Sequence, residues 1–466
     1  MSTTRTERDS MGPMQVPTSA YYGAQTQRAL ENFPISGQRL PRQVIRALGL
    51  IKGAAATYNH AAGILDDAQY AAIADAAREV VDGTLDEHFV VDVFQTGSGT
   101  SSNMNANEVI ANRAIELLGG ELGAKDPVHP NDHVNAGQSS NDVFPTAVHL
   151  AAYLACAEEL LPSLETLHGS LAGKAAAFAD VVKPGRTHLM DATPVTLGQE
   201  FGGYARQVEL GMARVRAALE RVGELPLGGT AVGTGLNAPA GMTDRVLDEI
   251  REATGKIGLR EASDHFEAQG ARDALVELSG ALKVVAVSLT KIANDIRLMG
   301  SGPRTGIGEL QLPEIQPGSS IMPAKVNPVI PESVTQVCAQ VIGNDTAVTV
   351  GGMNGHFELN VYIPLMARNV LESIALLSST AVNFAAQCID GLTANVERAR
   401  ELVEKDLAIV TALVPAIGYD RSAELSKRAL TEDRPLREVV KEAGLLPDEE
   451  VDRILDIKRM TEGGVR

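Results

Sequence analysis

Apolar residues recur along this chain at alternating steps of three and four over long stretches. Leu275, Leu278, Leu282, Val285, Leu289, Ile292, Ile296 and Met299 form one such series, the spacing of a continuous stripe along a helix. Val284 and Val287 widen it beyond one face. Val208, Met212, Val215, Leu219 and Val222 repeat the pattern, as do Leu150, Leu154, Ala157, Leu161 and Leu164. Val361, Leu365, Leu371, Ile374 and Leu377 make a less regular helical series. Alternation with a period of two, the mark of a half-buried strand, is nearly absent. The pattern predicts an all-α chain with long bundle helices in its middle. A helix apolar around most of its girth must be covered on several sides. One chain offers few helices to do this, so a homo-oligomer is expected.

At 466 residues the chain predicts two or three domains. Short helices mixed with loops are expected over residues 1–138, the helical bundle over 139–395, and a small C-terminal helical domain over 396–466. In the last, RSAELSKRAL, PLREVVKEAG and PDEEVDRILDIKRM read as short charged helices. A content of 44% hydrophobic residues is that of a globular protein. No run approaches the roughly 18 apolar residues of a membrane helix, and the polar start MSTTRTERDSMGPMQV lacks the apolar core of a secretory signal. Cys156, Cys338 and Cys388 are an odd, scattered set. They read as buried structural thiols in a reducing, cytoplasmic compartment, and neither zinc nor an iron–sulfur cluster is expected. A net charge of −18 makes nucleic acid and anionic membranes poor partners. A dianionic substrate would need a locally positive site.

Four polar segments suit that need. Residues 300–328, GSGPRTGIGELQLPEIQPGSSIMPAKVNP, form a long stretch without helical period inside a helical chain, which marks a functional loop or a linker. Ile321, Met322 and Val326 want burial and argue for the loop, with Lys325 its cation. Asn327-Pro328 opens a helix carrying Glu332. Gln95 to Asn103, QTGSGTSSN, precedes a helical run from about Met104, and its glycines and hydroxyls suit an anion at a helix start. Gln138-Ser139-Ser140-Asn141-Asp142 stands before a helix whose first turn is marked by Pro145, and offers more polar side chains than a cap needs. Gly185 to Asp191, GRTHLMD, places Arg186, Thr187 and His188 in a turn expected to lead into another helix. Oriented dipoles with Lys325 and Arg186 could hold a dicarboxylate in an acidic protein.

Together these segments, and GSSIMPAKVNP above all, resemble the signatures of the fumarase/aspartase superfamily over nearly the whole chain. The resemblance implies a three-domain fold whose long helices form a homotetramer core, with each active site shared between subunits. It implies release of fumarate by elimination across a C–C bond, and no cofactor. By motif it makes Ser319 the catalytic base and His188 with Glu332 a relay-like pair. It makes Ser98, Thr100, Ser139, Ser140, Asn141, Thr187, Ser320, Lys325 and Asn327 substrate-binding residues. GSGT, QSSND, GRTHL, GGTAVGTGLN and HFELNV look like the class II, iron-independent fumarases, actinobacterial ones most of all. That branch implies reversible hydration of fumarate to L-malate through an enediolate. Ala324, where fumarases commonly have Gly, and PAKVNPVIPE are closer to aspartases, and aspartate ammonia-lyase is the alternative. A second anion site of fumarases maps onto His129, Asn131 and Asp132, with only Lys125 as an adjacent cation and Asp126 where a cation is expected. The glycine-rich stretch 228–235 lacks the Lys-Ser/Thr ending of a phosphate loop. Pro130 between His129 and His133 breaks the shared face a metal pair would need.

Overall fold

In the computed structural model, which describes residues 3–464, the chain opens with a hairpin of β1 (Thr4–Asp9) and β2 (Gly12–Pro17). Six helices follow: α1 (Ala24–Asn32), α2 (Arg42–Ala61), α3 (Asp67–Asp82), α4 (Thr100–Leu117), α5 (Ser140–Ala155) and α6 (Leu161–Ala177). A second hairpin, β3 (Val182–Thr187) with β4 (Met190–Thr196), leads into α7 (Leu197–Val222). Then come α8 (Met242–Thr254), α9 (His265–Gly270), α10 (Asp273–Met299), α11 (Val329–Gly352) and α12 (Ile363–Phe384), before short helices that run to Met460. Among the described residues every sheet has two strands. The fold is all-α, as the apolar spacing requires. The series from Leu275 to Met299 is α10, and the Val208 series lies in α7. The Leu150 series crosses from α5 through one π turn, Cys156–Leu160, into α6. The first 140 residues hold longer helices than their composition suggested: α2 has 20 residues and α4 has 18.

The chain forms two compact units. The first comprises Met1–Pro162, Ala213–Ala286 and Ala339–Ser378. Its core gathers around α2, which packs on α3, α5 and α8. Small residues, Ala47, Ala54, Ala55 and Ala56, let α2 be buried on nearly all sides together with Leu48 and Ile51. In α4 the Glu108 carboxylate accepts the N–H groups of Gly23, Gln25 and Thr26 and the Thr26 hydroxyl, so a buried acid caps α1. Within this unit, polar side chains also tie α10 to α11 and α11 to α12. Asp345 accepts from Ser279 and Lys283, and Asn344 donates to Glu372 and Ser373.

The second unit comprises Ser163–Met212, Val287–Cys338 and Ser379–Arg466. Its C-terminal part has a core of its own, with Leu413, Leu436, Val439, Val440, Val451 and Leu455 fully packed. All three cysteines are buried and unbridged.

Gly97 is where the backbone fixes the first polar segment. A Cβ there would lie 1.7 Å from the Val361 carbonyl oxygen, and the Gly97 carbonyl accepts the Ile363 N–H at 3.0 Å. Neither contact leaves room for a side chain, and the clash is with backbone. Gly97→Ala is therefore expected to cost about 3 kcal/mol of stability, read as a lowered thermal midpoint in calorimetry. An unchanged midpoint would show that the close approach is not maintained.

Candidate active site

In the first unit, two of the polar segments are joined. Gly99, at φ 74°, is the N-cap of α4 and has no side chain to cover it. Gln95 accepts the N–H and hydroxyl of Ser102, doing the capping from outside. The hydroxyls of Ser98 and Thr100 lie 2.8 Å apart, and those of Thr96 and Ser101 pair in the same way. The helix starts at Thr100, four residues earlier than the apolar run suggested, so Thr100 sits in its first turn. Ser139 caps α5 by accepting the Asn141 N–H, and Asp142 returns the bond by accepting the Ser139 N–H at 2.9 Å. Pro145 lies in the second turn rather than the first and cannot donate to the Asn141 carbonyl. Asn103 of α4 donates to the Ser140 hydroxyl oxygen at 2.9 Å, which leaves the Ser140 proton free to be given elsewhere. Asn141 donates to the Ala231 carbonyl at 2.8 Å.

Behind this surface lies a polar cluster that the sequence reading missed. Asp142 is buried. Its second oxygen accepts the N–H groups of Gly228 and Thr230, which ties down the glycine-rich stretch. Burial raises its pKa, against the pull of these donors and of Lys52. Lys52, with none of its surface exposed, donates to Asn135 and Gln138 at 2.9 Å each. The available signal was a single charge inside the apolar run ALGLIKGAAA, at a helical position flanked by Leu48, Ile51 and Ala55.

The other two segments belong to the second unit. GRTHLMD is not a pre-helix turn. It is the tip of the β3–β4 hairpin, where Thr187 pairs with Met190, and His188 and Leu189 form the two-residue turn at φ 55° and 62°. Both central residues at positive φ define the turn type that matches strand twist. Thr187 and His188 are exposed there. Arg186 is not a cation available to a substrate. Its guanidinium makes a two-pronged pair with Glu309 at 2.7 and 3.0 Å, and the buried Lys183 is shared between Glu200 and Glu309. Glu309 is 1% exposed and was not singled out, because its partners lie more than a hundred residues away in sequence.

The loop of Ser319 is pinned at its ends. The Gly318 N–H donates to the Lys325 carbonyl, and the Asn327 amide donates to the Gly318 carbonyl, both at 2.7 Å. The Ser319 hydroxyl oxygen accepts N–H groups from Ile321 at 3.3 Å and Met322 at 3.0 Å. Ser320 and Lys325 are exposed, and no partner holds the Lys325 ammonium among the described residues. Ile321, Met322 and Val326, expected inside, are exposed in the single chain. Glu332 stands in the first turn of α11. Among the described residues no hydrogen bond or ion pair joins it to His188 within the chain. Ala324 adopts φ 65°, a conformation that favours glycine, which gives a physical reason for the glycine usual in fumarases.

At the proposed second site, His129 caps a short π turn, Pro130–Val134, its Nδ1 accepting the N–H groups of Asn131 and Asp132. Asp132 also approaches Nδ1 at 3.3 Å. An Nδ1 that accepts two amide protons carries none, so we read the ring as neutral. Burial holds His129 below the ordinary imidazole value, against the upward pull of Asp132. Lys125 is engaged by the Arg8 carbonyl.

Comparison with known proteins shows the family. Residues 12–343 match the lyase family and residues 409–462 match the fumarase C C-terminus. Fumarate hydratase class II of Mycobacterium tuberculosis is 59% identical over 98% of this chain and 96% of its own length. The protein of the same name from Corynebacterium efficiens is 58% identical over the same shares. The crystal structure of class II fumarase from Schistosoma mansoni superposes with a TM-score of 0.95 at 40% identity, covering 98% of this chain and 99% of that one. The chain belongs to the lyase family. Within it, its place is among the class II fumarate hydratases.

One consequence concerns Ala324. Relieving a left-handed conformation at a residue with a Cβ is worth roughly 1 kcal/mol. Ala324→Gly should leave the fold intact and raise the thermal midpoint or leave it level. A marked loss of stability would mean that the loop does not hold this φ.

Proposed function

We propose that this protein hydrates fumarate to L-malate and catalyses the reverse elimination, as a cytoplasmic homotetramer whose active sites are shared between subunits. The activity rests on full-length likeness to proteins of that name. The chemistry rests on one observation, the two loop amides aimed at the Ser319 oxygen. A serine hydroxyl is a poor base near neutral pH. An oxygen that already accepts two N–H groups is suited to carry the negative charge of an alkoxide.

In the elimination direction, Ser319 takes the C3 proton of malate, and the electron pair moves onto the adjacent carboxylate as an enediolate. That dianionic group is the costly species, and donors placed around it lower its energy. Lys325, whose ammonium has no partner among the described residues, and Asn327 suit this role. Collapse of the enediolate expels the C2 hydroxyl, which leaves as water after receiving a proton. His188, which Glu332 of another subunit would orient in the shared site, is assigned to handle that water, with Thr187 beside it. Ser98, Thr100, Ser139, Ser140 and Asn141 would hold the substrate carboxylates with hydroxyls and helix-start amides. Ser320 is assigned to the same loop surface. Exposed Ile321, Met322 and Val326 support a loop that closes over the substrate and excludes water.

Exposed apolar side chains along the long helices, Val287 at 54% and Val350 at 48% among them, support coverage by other subunits. Three domains are assigned, 1–138, 139–395 and 396–466. Buried unpaired thiols suit the cytoplasm. Among the described residues no helix is long and apolar enough to cross a membrane. Metal and cofactor have no part in the scheme. His129, Asn131 and Asp132 are kept as a second anion site, where a neutral His129 would give its outer N–H.

Ser319→Ala should slow release of fumarate from L-malate by about two orders of magnitude, the usual scale for a lost general base. It should leave succinate binding in place. Near-normal turnover in this variant would remove Ser319 as the base. Ser319→Ala and His188→Asn chains, each inactive alone, should regain activity when refolded together, because a site that takes Ser319 from one subunit and His188 from another is intact in some mixed tetramers. No recovery, with mixed tetramers verified by mass spectrometry, would contradict a shared site.

A further inference from the structure

Lys52 has no place in the chemistry above, yet it is the least expected charge in the first unit. Its ammonium is fully buried in α2, and no carboxylate reaches it within ion-pair distance among the described residues. Its hydrogen bonds go to the neutral side chains of Asn135 and Gln138. A buried ammonium without a paired anion is costly, and burial pulls Lys52 down to about 7. Asp142, on α5, is the charged group that acts against this.

The cluster around it leads to the site. Asn135 accepts from Lys52 and also from Asn103 and Asn107 of α4, at 3.2 Å each. Its own amide donates to the Gln138 carbonyl at 3.1 Å, one residue before Ser139. Asn103 reaches in turn to the Ser140 hydroxyl. Lys52 is thus connected through one side chain to the backbone that enters the Ser139–Asn141 turn, and through two to the Ser140 hydroxyl.

We propose that Lys52 is a positioning residue for the substrate carboxylate, holding the Gln138–Asn141 turn in its binding geometry and supplying positive charge from behind it. This rests on the assignment of Ser139, Ser140 and Asn141 to substrate binding. A charge behind the hydroxyls acts on bound substrate and on the transition state alike. Its loss should therefore appear in KM more than in kcat.

The test is Lys52→Met, assayed for kcat and KM with L-malate and for succinate affinity by calorimetry, with circular dichroism and sedimentation as controls of fold and assembly. KM and the succinate Kd should each rise about tenfold, within the usual range of coupling between sites, while kcat changes less than about threefold. If that variant does not fold, Asn135→Asp serves instead. It places a carboxylate against Lys52, satisfies the ammonium internally and should weaken succinate in the same way. A folded variant with KM and Kd within about twofold of the unmodified protein would overturn the proposal. A fall in kcat alone would overturn it as well. If the unmodified protein neither turns over malate nor binds succinate, the functional reading itself fails and the proposal with it.

Discussion

A buried carboxylate, Asp142, is the constraint on which the first unit's candidate binding surface depends. One of its oxygens returns the cap of α5 to Ser139, and the other takes the N–H groups of Gly228 and Thr230. A single side chain thereby fixes a helix start and a glycine-rich stretch about ninety residues away against each other. An acid buried this far from water persists only because its acceptors are filled. Glu309 does the corresponding work in the second unit, where it holds Arg186 and Lys183 and so stiffens the hairpin that carries His188. Both acids use up positive charge or N–H groups in structure. Among the candidate site residues, hydroxyls and helix-start amides in the first unit and Lys325 in the second are left for a ligand. That is how a chain of net charge −18 can still offer an anion site.

The long helices were legible because their apolar stripes follow the helical period, from Leu275 to Met299 most plainly. Helix starts were legible where an explicit cap stands, as at Ser139, and displaced where glycine takes that place, as at Gly99. The β3–β4 hairpin was not legible. Its strands, VKPGRT and MDATPVT, each contain proline, and its turn is His188-Leu189 rather than the Asn-Gly or Asp-Gly that usually marks two positive φ angles. Backbone pairing there is held by Glu309 through Arg186, a contact no local pattern encodes. Lys52 was legible in principle, as a lone charge on a buried helical face.

The candidate catalytic groups were found through motif, and their surroundings could be judged only from the fold. Ser319 proves to sit against two amides. Arg186 lost its assigned freedom to Glu309. The departure at Ala324 gained a physical meaning as a residue at positive φ. Polar, long-range contacts depart most from expectation, and the apolar stripes of the long helices match it, whereas the apolar side chains of the Ser319 loop, Ile321, Met322 and Val326, are exposed.

Substrate choice is the most direct test of the account, since hydratase and ammonia-lyase would use the same anion site and differ in the group that leaves. Purified protein is offered L-malate and L-aspartate in parallel, and the rise of fumarate is followed by its ultraviolet absorbance. The account predicts fumarate from malate and none above background from aspartate. Fumarate and ammonia formed from aspartate, with malate inert, would contradict it.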